Sequence, residues 1–272
     1  MRMKAFMGLA LVLAAGATQS ACAAGGVIYD SNGFEPTRFT TGSLTGADGG
    51  IWIESGGPGG TALIESAVKL NGAQAVQLNR TSDFTGGGDK RYWPDIPTPT
   101  LTAPVVVVKW DMNVTANTTA GVATGPFFGI DAYAPGFNQI AGAGVDSTTG
   151  EVLFEDPAFN GGFNNTTNDV KVTLGAWHHY ELLIDFSRQV TTVTVDGTPV
   201  QTVTGFLTPS ATQFQDADLA ALATDVEPPS QLGTAYFDNY SVINTTVPEP
   251  TAILTVGSAM ALAFPRRPRR TS

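Results

Sequence analysis

The sequence predicts an all-β protein, and three observations carry that expectation. Residues 177–186, W-H-H-Y-E-L-L-I-D-F, place Tyr180, Leu182, Ile184 and Phe186 on one face of an extended chain and His179, Glu181, Leu183 and Asp185 on the other. That is the period-2 signature of a half-buried strand. Val190–Val195 follows, built of the β-branched Val and Thr that fit a pleated surface. Asp196-Gly197 then marks a tight hairpin, because both central residues of a type I′ turn need positive φ. Finally, 31 glycines and 17 prolines in 272 residues supply turns rather than long helices.

Taken in order, residues 1–24 read as a signal peptide. Arg2 and Lys4 precede an apolar run over 5–15, and Ala21-Cys22-Ala23 offers a small-residue cleavage site. Cys22 is the only cysteine, so a domain over 25–246 has neither a disulfide framework nor a thiolate zinc site. Residues 27–78 read as strands separated by glycine-rich turns. Residues 79–102 read as irregular, with Gly86–Gly88 and Pro94, Pro97 and Pro99. Val105–Val114 is a strong strand, apolar enough at 105–108 for burial on both faces. Shorter strands follow over 127–133, 139–145 and 150–154. One short helix is expected over 216–223, where acidic residues precede an Ala/Leu run. Strand 234–243 closes the domain.

Charge narrows the partners. Six of the fourteen basic residues sit at the two ends, so residues 27–247 carry eight Lys/Arg against twenty-three Asp/Glu. Such a surface repels nucleic acid and anionic membranes.

The run over 175–197 resembles the central hairpin of concanavalin A-like (laminin G-like) jelly-roll domains. In those domains a segment similar to 27–52 opens the fold, and one similar to T-A-Y-F-D-N-Y-S-V-I at 234–243 closes it. The resemblance implies a two-sheet antiparallel jelly-roll β-sandwich. That fold hosts lectins, glycosidases, lyases and adhesion modules, so it does not specify a function.

The C-terminus carries a second resemblance. Val247-Pro248-Glu249-Pro250 precedes an apolar run over 251–264 and the basic tail Arg266, Arg267, Arg269 and Arg270. This order is similar to the PEP-CTERM sorting signal over 247–272. It implies export past a signal peptidase, processing by an exosortase, and a bacterial cell surface or extracellular polysaccharide matrix as destination. The membrane is then touched only through the C-terminal segment before processing. The arginines suit a cytoplasmic tail.

Catalytic patterns are sparse. Laminarinase-type relatives of the fold carry Glu-x-Asp-x-Glu or Glu-x-Asp-x-x-Glu on one strand, and no such run occurs. Glu151/Glu155 and Glu181/Asp185 stand four residues apart, roughly 13 Å along a strand, and read as solvent-face carboxylates. His178 and His179 point to opposite faces, and Gly86–Gly88 lacks the Lys-Ser/Thr of a phosphate loop. The expectation is therefore a non-enzymatic, carbohydrate-binding or structural domain, with a glycan-active hydrolase or lyase as the alternative. Trp52, Tyr92, Trp93, Tyr133 and Phe137 are the candidate sugar-stacking aromatics. In many relatives a structural calcium ties the first strand to the last, which makes Glu35 and Asp238 its candidate ligands here. No other cofactor is expected.

Overall fold

The computed structural model describes residues 25–81, 89–118, 123–159, 162–224 and 232–246. The expected signal peptide with Cys22, and the sorting motif with its apolar run and arginine tail, lie outside the described residues. Among those described, no helix is long and apolar enough to cross a membrane.

Among the described residues, sixteen strands run β1 Val27–Asp30, β2 Gly42–Ser43, β3 Trp52–Gly56, β4 Gly60–Glu65, β5 Ala75–Arg80, β6 Lys90–Pro94, β7 Val105–Val114, β8 Phe127–Ala134, β9 Asn138–Asp146, β10 Val152–Asp156, β11 Gly162–Asn165, β12 Trp177–Asp185, β13 Val190–Val195, β14 Thr198–Thr204, β15 Asp216–Leu222 and β16 Gly233–Thr245. They form two antiparallel sheets packed as a sandwich. One has nine strands, ordered β14-β13-β12-β7-β16-β5-β4-β2, with β1 paired to β16 beyond the end of β5. The other has seven, ordered β11-β10-β9-β8-β15-β6-β3.

Alternation explains the core. Val106, Val108, Trp110 and Met112 of β7, Tyr180, Leu182 and Ile184 of β12, and Phe128 and Ile130 of β8 all face inward and are buried. Each such side chain contributes roughly 1.5–3 kcal/mol over its exposed state. Trp110 and Tyr180 stack with centroids 5.4 Å apart. All of Val105–Val108 is buried, as the continuous apolar run predicts.

Two stretches differ from the sequence reading. Residues 79–102 are not irregular throughout, because β6 lies within them, paired to β3 and β15. Prolines dominate the local composition, yet Pro94 takes the last strand position, where its missing N–H does little harm. Residues 216–222 are not a helix. They form the central strand β15 between β8 and β6, and sheet pairing overrides the modest helix preference of Ala and Leu. The consequence is functional: Asp216 and Asp218 share one face of a strand.

Candidate active site

The outer face of the seven-stranded sheet carries a row of acids. Asp218 of β15 pairs with Asp131 of β8, and Asp131 pairs with Gly142 of β9. One step past the Phe154–Ala143 pair, Glu155 of β10 reaches the same row. Gly142 forms the floor. A Cβ there would lie 2.3 Å from Glu155 Oε2 and 2.8 Å from Asp131 Oδ1. The two oxygens therefore stand within about 5 Å of one another, a separation compatible with paired-carboxylate chemistry. The adjoining row holds Asp216 opposite Tyr133, and Tyr133 opposite Gln139.

Beside these acids, reached through Arg91, Gln139 and Asp218, lies a groove. Its polar half, about 310 Å³, is lined by Ser55, Arg91, Gln139 and Asp218 together with Trp93, Tyr133, Phe137 and Asp216. The last four also line an adjoining half of about 230 Å³, completed by Ile53, Asp95, Ala134, Pro135, Gly136 and Gln215. The core fixes the groove from beneath. Tyr240, fully buried, donates its hydroxyl to the Ala217 carbonyl between the two β15 acids at 2.6 Å.

The polar contacts are specific. Arg91 Nε donates to Asp131 Oδ2 at 2.7 Å, and the Gln139 amide donates to Glu155. Asp131 is wholly buried and Asp218 is 4% exposed, yet Oδ1 of each has no hydrogen-bond partner. An orphaned buried polar atom costs stability, so it calls for an explanation.

Burial dominates the ionisation of these groups. It raises Asp218 well above the usual carboxylate range, assisted by repulsion from Asp216 and Asp131. Glu155 is raised likewise by burial and by Asp131. Asp131 is also raised by burial, with Arg91 opposing. Asp216 is pushed up to about 7 by burial and by neighbouring Asp95. Tyr133 is held above its ordinary value by burial and by Asp131. The face thus presents Asp218 and Glu155 with carboxyls raised by burial, a cationic Arg91, and an Asp216 that titrates close to neutrality.

The sequence-predicted residues separate into groups. Trp93 and Tyr133 line the groove. Trp93 does so from strand β6, not from a rigid loop. Trp52 and Tyr92 are corrected as ligand-binding candidates: they are 0% and 1% exposed, because the strand period turns them into the core. Trp52 packs there against Tyr29, Phe34 and Tyr240 and donates its indole N–H to the Tyr29 hydroxyl. Glu155 and Asp185 are buried, not solvent-face acids. Asp185 accepts from Ser187 and Arg188 in the β12–β13 turn.

Glu35 and Asp238 converge on one loop. Glu35 accepts the Ala73 N–H, and Asp238 accepts those of Leu70, Asn71 and Asn239. Both carboxylates are thus occupied with backbone donors. Among the described residues no group of three or more His, Cys, Asp or Glu side chains is placed to hold a metal.

Arg91, Asp131, Gln139, Glu155, Asp216 and Asp218 were missed as site residues. The usable signal was Asp216-Ala217-Asp218, alternate acids that share a face only once the segment is read as a strand.

No family model and no curated protein matches the sequence. Solved structures do share its fold. A cellulose-induced protein, Cip1, is 14% identical with a TM-score of 0.55, covering 76% of this chain and 98% of that one. A sialidase is 13% identical with a TM-score of 0.51 over 76% of this chain, which spans only 18% of the sialidase. An endo-β-1,4-glucuronan lyase from the fungus Trichoderma reesei is 15% identical with a TM-score of 0.49, covering 77% and 96%. At these identities the likeness establishes the β-sandwich. The expectation of a non-enzymatic domain is corrected here. No local spacing brought the acids together, whereas in the fold Glu155 and Asp131 meet over Gly142, and Asp216 and Asp218 share one face of β15.

Proposed function

We propose that the domain is a glycan-cleaving enzyme acting at the groove over β6, β15, β8 and β9, with β-elimination from a uronate-bearing polysaccharide as its chemistry. The observation that carries this reading is Asp218: buried, with an oxygen left unpartnered, lining the groove with Arg91 and Tyr133. A substrate carboxylate supplies the missing partner. Arg91 and Asp218, whose carboxyl burial biases toward its neutral form, neutralise that carboxylate, which acidifies the carbon-bound hydrogen next to it. Asp216 removes the hydrogen, since its pKa of about 7 suits a general base near neutral pH. The glycosidic C–O bond breaks as the C=C bond forms, and the Tyr133 hydroxyl, which holds its proton firmly, protonates the leaving oxygen. Proton return from Asp216 through solvent resets the site.

Hydrolysis is the second reading, favoured by the alternate placement of Asp216 and Asp218. These lie about 6.5–7 Å apart along the strand, within the range of an inverting pair. A panel of polyglucuronate, alginate and neutral β-glucans separates the two. Elimination gives products with an unsaturated, ultraviolet-absorbing end, and activity rises with pH through about 7. Reducing ends without unsaturation would favour hydrolysis. No cleavage of any polymer, with Asp218→Asn binding as wild type does, would refute the enzymatic reading.

The lyase and sialidase titles among structures of this fold support a carbohydrate substrate. The terminal segments support export by signal peptidase and exosortase to a bacterial surface or polysaccharide matrix. A calcium between Glu35 and Asp238 also stays a proposal. It rests on their shared cleft, with backbone carbonyls required as further ligands.

A further inference from the structure

Two aromatic residues of the described chain hold positive φ, a conformation that bulky side chains rarely adopt: Phe34 at 55° and Phe137 at 62°. Phe34 is fully buried and packs on Phe39 and Trp52, so core burial offsets its strain. Phe137 has no such compensation. It is 86% exposed, at the tip of the turn joining β8 to β9, beside Gly136 at φ 82°. Glycine or asparagine would hold this turn at less cost. Strain that the surrounding fold does not need accumulates at functional positions.

Its location supplies the reason. Phe137 borders both halves of the groove, together with Trp93 and Tyr133. One half carries Arg91, Gln139 and Asp218, and the other is bordered by Ile53, Ala134, Pro135 and Gly136 along with Asp95 and Gln215. We propose that Phe137 is a sugar-stacking platform that determines specificity, so that the groove takes at least two consecutive sugars of a polymer: one held by its charged group in the polar half, the next lying with its apolar ring face on Phe137. This rests on the glycan-cleaving reading above and adds the length and register of the substrate. Phe137 touches no reacting atom and acts by binding.

The test compares the whole protein with Phe137→Ala, Phe137→Tyr and Phe137→Gly, using polyglucuronate and alginate and their sized oligosaccharides. Phe137→Ala weakens binding and raises KM about three- to tenfold, the scale of one aromatic contact, with kcat little changed. The loss grows from the monomer to the dimer and longer chains, and Phe137→Tyr restores binding. Phe137→Gly loses the same affinity but melts at or above the wild-type temperature, because glycine accepts φ 62° without strain. Wild-type affinity in Phe137→Ala, or a shift in oligomeric state with binding unchanged, would overturn the platform while leaving the enzymatic reading intact. A wild-type protein that binds neither these polymers nor a neutral β-glucan would overturn both.

Discussion

Asp216→Asn should stabilise the protein at alkaline pH while abolishing its activity. In the unfolded chain this carboxyl releases its proton near pH 4, whereas in the folded state it holds the proton up to about 7. Between those values the unfolded state has lost a proton that the folded state retains. Stability therefore falls as pH rises from 4 to 7 and levels off above. A shift of about three pH units corresponds to about 4 kcal/mol at 1.36 kcal/mol per unit. The half-buried position and the share owed to Asp95 reduce the expected effect to about 2–3 kcal/mol. Asparagine fills the same space and never ionises, so the two proteins should be nearly equal at pH 4 and diverge above it. Urea unfolding of both at pH 4, 6 and 8 measures the gap directly. A variant no more stable than wild type at pH 8, or a gap that does not widen with pH, would refute the account of Asp216.

Three further outcomes follow from other parts of the molecule. Gly142→Ala should destabilise by about 1–3 kcal/mol in denaturant melts and abolish activity, because its Cβ would intrude on Glu155 and Asp131. Millimolar calcium should raise the melting temperature if Glu35 and Asp238 share an ion, and Asp238→Asn should remove that response; an unchanged wild-type curve leaves the two acids as loop anchors. Intact-mass measurement of protein from the producing cell should find neither residues 1–24 nor the Arg266–Arg270 cluster on the surface form, and recovering that cluster would rule out the sorting proposal.

Much of the architecture was legible because one face of each sheet packs on a core. Val105–Val114 and Val190–Val195 match their predicted bounds, since burial and β-branching agree there. Lys90–Pro94 was hidden because five residues cannot display a period amid prolines. Asp216–Leu222 was hidden because Ala and Leu favour a helix locally, and only pairing with β6 and β8 makes the segment a strand. The site disappeared with those two strands. Arg91 and Trp93 lie on the first and Asp216 and Asp218 on the second, while Asp131, Gln139 and Glu155 join them through pairings of 16 to 87 positions in sequence that no local spacing reports. The aromatic candidates show the same limit. Tyr92 and Trp93 are adjacent, and a strand sends one to the core and the other to the groove.

The outer face of the seven-stranded sheet itself argues that these acids serve chemistry more than architecture. Toward one end it is covered by an apolar cluster in which Phe127, Leu153, Ala220 and Leu222 pack under Phe163, with the Phe127 and Phe163 rings 4.3 Å apart. The same strands β8, β10 and β15 therefore show how a purely structural sandwich closes this surface. One or two strand periods further along, they bury Asp131, Glu155 and Asp218 instead. Only one guanidinium, Arg91, is bonded among the three, and two carboxylate oxygens are left without partners. Replacing such buried ionisable groups with well-packed apolar ones is often neutral or stabilising. A face that can be apolar and yet buries Asp131, Glu155 and Asp218 together beside the groove has given up stability at that place, as functional sites do.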